Sequence, residues 1–391
     1  MYAGAFLEDF VLLYPVYAVL FADAGLSPAA ISSLFVIWSV SSLAFEVPSG
    51  LWADVCSRRR LLAAAPLLRG AGFALWTCLP VYPAFAAGFV LWGAGSSLRS
   101  GALQALVYEE LARIGAAGSY ARVMGRARAL GTTAVMAASA AAAPVMAAGG
   151  YRAVGVASVA VCVAVSVVMG TLPESRGVPS APADEVEGSG GRGRGAAVWR
   201  EGRRQVAQVA GVRGALVVLA ALTWVSTLDE YLPLLALATG AGAAAVPLLV
   251  LVVTAGMTVG GWCAGRGAHR LAGLLGAAAV CLAAGALSGS PAGMVAVAVA
   301  VAFGVFQWAL AIADARLQDR VQDGARATVT SMAGFGQEAV AVLAYAGYAL
   351  GSVWAGPGVL FAVAALPYAV LAVALGVFGR GVPGRAARRR R

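Results

Sequence analysis

Apolar stretches of about 20 residues recur along the whole chain and constrain its fold more than any other feature, because an α-helix needs that length to cross a bilayer. Only 12% of the residues are charged, whereas a soluble protein carries roughly 25%. Mean hydropathy is +0.83. We therefore predict an all-α integral membrane protein with twelve transmembrane helices. The predicted spans are 2–23, 28–53, 61–80, 82–106, 124–147, 151–172, 213–239, 244–264, 271–289, 291–312, 328–352 and 357–379.

The basic residues follow the topology of these spans. All 28 are arginines. With both ends in the cytoplasm, every arginine except Arg69, Arg99 and Arg152 falls in a cytoplasmic loop or tail. This distribution follows the positive-inside rule and explains the net charge of +10 without a nucleic-acid partner. We expect a multi-pass protein of the cell (plasma or inner) membrane, with anionic lipid attracting the basic tail.

The sequence gives little support for a disulfide framework, a metal site or an enzyme active site. The five cysteines are scattered without C-x-x-C spacing, so we expect neither a disulfide framework nor a metal site. The single histidine, His269, lies in a short loop. No P-loop or other enzyme motif is present, so we expect no cofactor and no enzymatic activity. The first span lacks a basic n-region and contains Glu8 and Asp9, which argues against a signal peptide.

The second half of the chain repeats the first. With a shift of 210 residues, GLWADVCSRRRL at 50–61 lies over GGWCAGRGAHRL at 260–271. With a shift of 221 residues, LEDF at 7–10 lies over LDEY at 228–231. Such a repeat predicts two pseudo-symmetric six-helix bundles. The predicted parts are an N-terminal bundle at 1–172, a cytoplasmic linker at 173–212, a C-terminal bundle at 213–379 and a basic cytoplasmic tail at 380–391.

The segment after the second span carries a motif. In GLWADVCSRRRL, Gly50 is followed by Asp54 and then, one turn later, by Arg58, Arg59 and Arg60. This pattern resembles the loop between helices 2 and 3 of the major facilitator superfamily, which usually has the form G-x-L-a-D-r-x-G-R-[RK]-x. The span count, the long central loop and the repeat agree with the twelve-helix type of that superfamily.

The chain departs from the superfamily pattern at two places. Many members carry an arginine early in helix 4, where Phe89 precedes VLWG here. The G-P-x-x-G-G pattern of drug antiporters on helix 5 is altered: Ala143 and Pro144 are followed by Gly149 and Gly150 two positions late. These departures weaken an assignment to drug/proton antiport.

The resemblance implies that this loop is a gate that latches the outward-open state. Gly50 would let helix 2 approach a neighbour closely, and Asp54 would accept charge-assisted hydrogen bonds. The three arginines would pair with acids or hold the lipid surface. The alternative is that the loop only fixes the topology.

Acids within the spans are the strongest functional signal. A charge at membrane depth costs about 2.5–3.5 kcal/mol on insertion scales, so such groups usually face the protein interior and have a function. Glu8 and Asp9 are adjacent on helix 1, as are Asp229 and Glu230 on helix 7. Adjacent residues point about 100° apart, so one of each pair can face a central cavity. These carboxyls suit proton coupling, and equally the binding of a cationic substrate; Glu8 and Asp9 could instead lie near the interface.

Other polar residues within the spans are weaker candidates for a function. Arg99 could neutralise a helix 1 acid, bind an anionic substrate or extend to the cytoplasmic face, and we expect the Arg69 side chain to extend toward the membrane interface. Glu46 precedes Pro48 at an expected kink and faces the same side as Asp54. The remaining residues could line the cavity or simply pack against neighbouring helices. They are Tyr14, Tyr231, Gln307, Gln337 and Glu338, the last a further candidate for proton coupling.

The sequence therefore predicts a secondary active transporter that moves a small organic molecule by alternating access. Proton-coupled export is the preferred form, with substrate, protons and membrane lipid as partners, and we expect a monomer. A facilitative uniporter or an importer are alternatives. A membrane sensor or scaffold that kept the fold without transport is another.

Overall fold

Helices occupy most of the described chain. The computed structural model describes residues 1–116, 119–174, 210–263, 267–288, 292–318 and 326–379. The helices of the first half are α1 (Tyr2–Asp9), α2 (Tyr17–Asp23), α3 (Pro28–Val55), α4 (Arg58–Cys78), α5 (Tyr82–Arg113) and α6 (Tyr120–Gly170). Those of the second half are α7 (Ala210–Ser226), α8 (Leu232–Ala238), α9 (Val246–Trp262), α10 (Leu271–Leu287), α11 (Ala292–Gln318), α12 (Arg326–Gly351), α13 (Pro357–Ala364) and α14 (Leu366–Gly379).

Helical residues lie over every predicted span. By length and composition, six helical stretches of the described chain could cross a membrane: Pro28–Glu46, Arg58–Cys78, Arg122–Gly170, Arg213–Ala238, Val295–Leu317 and Pro357–Gly376. Two shorter apolar helices, α9 and α10, lie over the predicted spans 244–264 and 271–289. The all-helical prediction is confirmed. Most of the predicted linker and the whole predicted tail lie outside the described residues.

The first predicted span is not a single helix. α1 ends at Asp9 and α2 begins at Tyr17, with Pro15 in the intervening segment. Proline has no N–H to donate and clashes with the preceding turn, so it interrupts a helix. The break leaves backbone groups without helical partners, which must be satisfied inside the protein. The N–H of Leu13 donates to Oγ of Ser158 on α6 at 3.0 Å.

Two further spans are interrupted. Between α7 and α8, residues Thr227–Tyr231 form a 3₁₀ helix, and Pro233 lies in the first turn of α8. In the last span, α13 and α14 are separated at Ala365, and Pro367 follows. Each break comes just before a proline, which favours the start of a helix but not its interior.

The two spans at 124–147 and 151–172 are joined inside α6 by a turn at Gly150. Its φ of 59° is left-handed, which glycine adopts without strain. The glycine pair that resembled the antiporter pattern thus supplies this turn, while Pro144 lies inside α6.

The described residues group into two compact units. The first contains residues 1–174, 231–251 and 345–354, and the second contains the rest. The predicted bundles, 1–172 and 213–379, differ from this division by the two segments of the second half that group with the first unit. The two six-helix bundles stay a prediction.

Glycines allow close helix packing within each unit. In the first unit, a Cβ on Gly72 would lie 2.8 Å from the carbonyl oxygen of Gly88, so α4 and α5 are in contact there. In the second unit, a Cβ on Gly260 would overlap the carbonyl oxygen of Gly304, so α9 and α11 are in close contact there. Gly260 is the repeat partner of Gly50, so close approach is realised in the second copy of the motif.

Candidate transport site

Glu8, in the last turn of α1, is the centre of a buried ion-pair cluster. Only 4% of this residue is exposed. Its Oε1 lies 2.9 Å from Nη1 of Arg69 on α4 and 3.4 Å from Nε of Arg99 on α5. Two arginines therefore face one acid, which offsets the cost of its charge at membrane depth.

Arg69 is deeply buried, so the expectation that it extends toward the membrane interface is wrong. Its Nη1 also donates to the Tyr14 hydroxyl at 3.0 Å, and the Tyr14 ring stacks on Trp92 with centroids 5.3 Å apart. The ion pair with Glu8 and this hydrogen bond hold the guanidinium inside. Arg99 takes the first of its three predicted alternatives, pairing with a helix 1 acid, while its side chain stays 38% exposed.

Asp9 has a different environment from its neighbour. It is half-buried, and within the described chain no ion pair or hydrogen bond of its carboxylate is seen. Its Oδ2 lies against the backbone of Gly131 on α6, so close that a Cβ at Gly131 would overlap it. The two adjacent acids therefore point toward different helices, as their 100° separation requires.

Asp229 and Glu230 lie in the 3₁₀ helix that interrupts the helix 7 span. Both are half-buried. Among the described residues, no ion pair includes either of them. The second acid pair thus occupies a helix break within a predicted span, without the arginines that accompany Glu8.

Tyr231 is fully buried within the first unit, where it packs against neighbouring side chains, the second of its two predicted alternatives. Its hydroxyl shares a 2.6 Å hydrogen bond with the Ser32 hydroxyl on α3, and its ring stacks on Tyr348 with centroids 3.6 Å apart. Phe35 packs edge-on against it at 5.3 Å. The sequence did not indicate this cluster, because its members come from three distant segments.

The other polar candidates of the second half are distributed over α11 and α12. Gln337 donates from Nε2 to Oγ1 of Thr223 on α7 at 3.1 Å, so it pairs with a neighbouring helix. Gln307 on α11 is half-buried, and Glu338 on α12 is exposed.

The loop between α3 and α4 is much shorter than the sequence motif that was predicted to form a gating loop. α3 runs to Val55 and α4 begins at Arg58, so only Cys56 and Ser57 lie outside helices. Gly50 and Asp54 belong to α3, and their side chains are outside the described part of the structure. Glu46 is exposed on the same helix.

Arg58, Arg59 and Arg60 form the first turn of α4, where a helix dipole disfavours positive charge. An acid compensates there. Glu174, just beyond α6, accepts hydrogen bonds from the Arg58 N–H at 2.7 Å and from the Ser57 hydroxyl. The Arg58 guanidinium pairs with Glu109 of α5, whereas Arg59 and Arg60 are exposed. Sequence reasoning missed Glu174, although an acid that ends a span beside an arginine-rich helix start was a signal for it.

No cluster of three or more metal-ligating side chains occurs among the described residues. None of the cysteines among the described residues forms a disulfide bond.

The sequence matches the profile of the Major Facilitator Superfamily over residues 1–345. The chain belongs to the major facilitator superfamily. It is therefore a multi-pass membrane protein of a transporter family and not an enzyme. A comparison with curated proteins found no match.

Solved structures of other superfamily transporters share the fold. A bacterial homologue of the human lysosomal transporter Spinster is 15% identical, with a TM-score of 0.67 over 98% of this chain and 97% of that chain. The nucleoside transporter NupG is 13% identical, with a TM-score of 0.69 over 97% and 98%. A D-xylose–proton symporter is 14% identical, with a TM-score of 0.65 over 95% of each chain. At this identity the likeness concerns the fold alone.

Proposed function

We propose that this protein is a proton-coupled secondary transporter of a small organic molecule and that Asp229 and Glu230 carry the coupling protons. The observation that carries the proposal is the position of these acids. They lie side by side in a helix break within a predicted membrane span, half-buried and without an ion pair in the described chain.

The energetics favour this role. Each charge at membrane depth costs about 2.5–3.5 kcal/mol, and no arginine offsets that cost for Asp229 or Glu230 in the described chain. Binding of a proton or of a substrate cation would remove this free-energy cost. Discontinuous membrane helices are also where transporters of several folds place their substrate and ion sites. A pair of acids in such a break is suited to bind protons on one side and release them on the other.

The other candidate residues take supporting roles in this proposal. Glu8 and Arg99 form a fixed charge cluster near Tyr14, and Asp9 is a second exchangeable carboxyl. Gln307, Gln337 and Glu338 would line the path of the substrate in the second half, whereas Tyr231 would have a structural role through its hydrogen bond with Ser32. We assign gating to the segment formed by Gly50, Asp54, Arg58, Arg59 and Arg60, with Glu46 beside it.

The neighbours support transport of small molecules without defining the cargo. Their printed names describe a nucleoside transporter and a D-xylose–proton symporter, so the fold serves proton-coupled and other transport. The arginine distribution supports a cytoplasmic location for both chain ends in the cell membrane. We propose that the protein acts as a monomer in contact with anionic lipid.

The test is transport of a panel of radiolabelled small molecules into proteoliposomes, with and without an imposed pH gradient. For a substrate found in this way, Asp229→Asn and Glu230→Gln should abolish substrate-dependent proton movement while insertion stays normal. Asp314→Asn, an exposed acid at the end of α11, is the matched control and should behave like the parent. Proton movement that persists in both variants would contradict the assignment.

The same assay determines direction. Export, the form we propose, requires protons to move opposite to the substrate. Parallel movement would make the protein an importer, and transport without any pH dependence would make it a uniporter. If no molecule of the panel moves and neutral variants leave the cellular phenotype unchanged, a sensor or scaffold replaces the transporter.

A further inference from the structure

The broken first span lies along the part of α6 that follows its turn. α1 packs against α6 before the break. Within the break, the N–H of Leu13 donates to Oγ of Ser158 at 3.0 Å. At the end of α2, the Asp23 carboxylate accepts a hydrogen bond from the Tyr151 hydroxyl at 2.6 Å. One helix therefore contacts the first span before, within and after its break.

The α6 residues on this side form a buried stripe in which Ser158 is the polar member. Residues at spacings of three, four and seven lie on one face of a helix. The buried residues with this spacing are Val154, Ser158, Cys162, Val165 and Met169. Burial of a hydroxyl costs free energy unless it is hydrogen-bonded, so packing alone does not explain a serine at this position.

The Ser158 hydroxyl joins α6 to the break through two hydrogen bonds. It donates to the Val154 carbonyl oxygen at 2.8 Å, in the preceding turn, and accepts from the Leu13 N–H. The Leu13 carbonyl oxygen accepts in turn from the Tyr17 N–H at 2.9 Å, where α2 begins. Pro15, between them, has no N–H to donate. Leu13 is thus fixed on both sides, by α6 and by the first turn of α2.

The residue after Leu13 reaches the buried charge cluster. The Tyr14 hydroxyl accepts from Nη1 of Arg69 at 3.0 Å, and its ring stacks on Trp92. Leu13 and Tyr14 share a peptide unit, so a shift of the break along α6 moves Tyr14 as well. A hydrogen bond keeps its strength only within a narrow range of distance and angle. Ser158 is therefore placed to decide whether Tyr14 meets Arg69.

We propose that Ser158 is a positioning residue for transport. By holding Leu13, it keeps the two parts of the first span in line with α6 and keeps Tyr14 against Arg69. The break is then a fixed bend that moves as one body with α6, and not a hinge. The role in transport rests on the function proposed above, whereas the effect of Ser158 on the break does not.

Amide hydrogen exchange of the full chain in detergent, followed by mass spectrometry, tests the contact without a known substrate. In Ser158→Ala, peptides that cover residues 10–17 should exchange about tenfold faster, because a buried hydrogen bond contributes roughly that factor to local stability. Ser139→Ala is the matched control and should leave these peptides unchanged. Ser139 is also a buried serine of α6, but its hydroxyl has no hydrogen-bond partner in the described chain. Equal exchange in the parent and in Ser158→Ala would overturn the proposal.

Coupling to Tyr14 separates positioning from simple packing. Tyr14→Phe removes the hydroxyl that accepts from Arg69, and the effects of independent sites on stability add. Ser158→Ala combined with Tyr14→Phe should lower the unfolding temperature by less than the sum of the two single losses, because Ser158→Ala alone already displaces Tyr14. Ser139→Ala combined with Tyr14→Phe should be additive. Additive losses in the Ser158 pair would show that Ser158 does not position Tyr14.

A second variant keeps the test decisive if Ser158→Ala does not insert. Ser158→Cys then replaces it in both experiments, because a thiol has nearly the size of the hydroxyl but accepts hydrogen bonds only weakly.

Turnover measures the role in transport. For a substrate found in the proteoliposome panel, Ser158→Ala should lower turnover severalfold and leave KM unchanged, because Ser158 acts through the first span and does not bind the substrate. Unchanged turnover despite faster exchange would overturn the role in transport. If no substrate is found, the proposed function fails, whereas the exchange and unfolding results still decide whether Ser158 positions Tyr14.

Discussion

The two acid pairs of this protein have nearly the same local sequence, LEDF and LDEY, but different partners. In the first unit, Glu8 is buried against Arg69 and Arg99. In the second, Asp229 and Glu230 share a helix break and have no ion pair within the described residues. The two pairs therefore differ in whether arginines of neighbouring helices pair with them. We propose that Glu8 stabilises the fold and that the second pair exchanges protons.

The largest expected effect comes from removing the arginine that holds Glu8. Arg69→Met should destabilise the protein by about 3–5 kcal/mol, because it leaves a buried carboxylate without its closest partner. Thermal unfolding of the purified protein in detergent measures the loss. Arg122→Ala, at an exposed position on α6, is the control and should change stability by less than about 0.5 kcal/mol.

Combining Arg69→Met with Glu8→Gln sharpens the comparison. The double variant should recover much of the lost stability, because no buried charge remains unpaired. A double variant as unstable as Arg69→Met alone would mean that Arg69 acts through packing.

A smaller loss is expected at the start of α4. Glu174→Ala removes the acid that accepts the Arg58 N–H and compensates the basic first turn. Loss of a side-chain cap costs about 0.5–2 kcal/mol, measured by the same unfolding assay. Glu110→Ala is an unsuitable control, because Glu110 pairs with Arg113. Asp314→Asn serves instead and should be neutral. An unchanged unfolding temperature for Glu174→Ala would show that the cap contributes nothing.

The smallest expected effect concerns the residue that follows each pair, Phe10 in the first unit and Tyr231 after Glu230. Tyr231→Phe removes the hydrogen bond with Ser32 and should cost about 1 kcal/mol. Tyr348→Phe is a matched control in the same ring stack, because its buried hydroxyl has no hydrogen-bond partner. It should be neutral or stabilising. Equal losses in the two variants would assign the effect to ring packing.

Much of the fold follows from the sequence, because hydropathy reports what must be buried in lipid. Helices lie over all twelve predicted spans, with bounds that differ by a few residues. The breaks within three of the predicted helices were not predicted, although Pro15, Pro233 and Pro367 are present in the sequence. Proline is tolerated in membrane helices when other groups satisfy the backbone, and a residue such as Ser158, which bonds Leu13 across 145 positions, cannot be paired from a single sequence.

The site was only partly predictable for the same reason. The acids within the apolar spans are visible in the sequence, and their function stays a prediction. Whether an acid is neutralised depends on which arginine faces it, and Arg69 lies on another helix. The burial of Tyr231 and the close approach of Asp9 to Gly131 likewise depend on contacts between distant segments, which leave no local pattern.

The central claim is that the second acid pair carries the coupling protons while Glu8 has a structural role. Substrate-dependent proton movement in proteoliposomes, compared for the Asp229→Asn/Glu230→Gln double variant and for Glu8→Gln, tests it most directly. The account predicts that the double variant loses proton movement with unchanged thermal stability, and that Glu8→Gln retains coupling with reduced stability. Coupling that survives in the double variant but disappears in Glu8→Gln would contradict it.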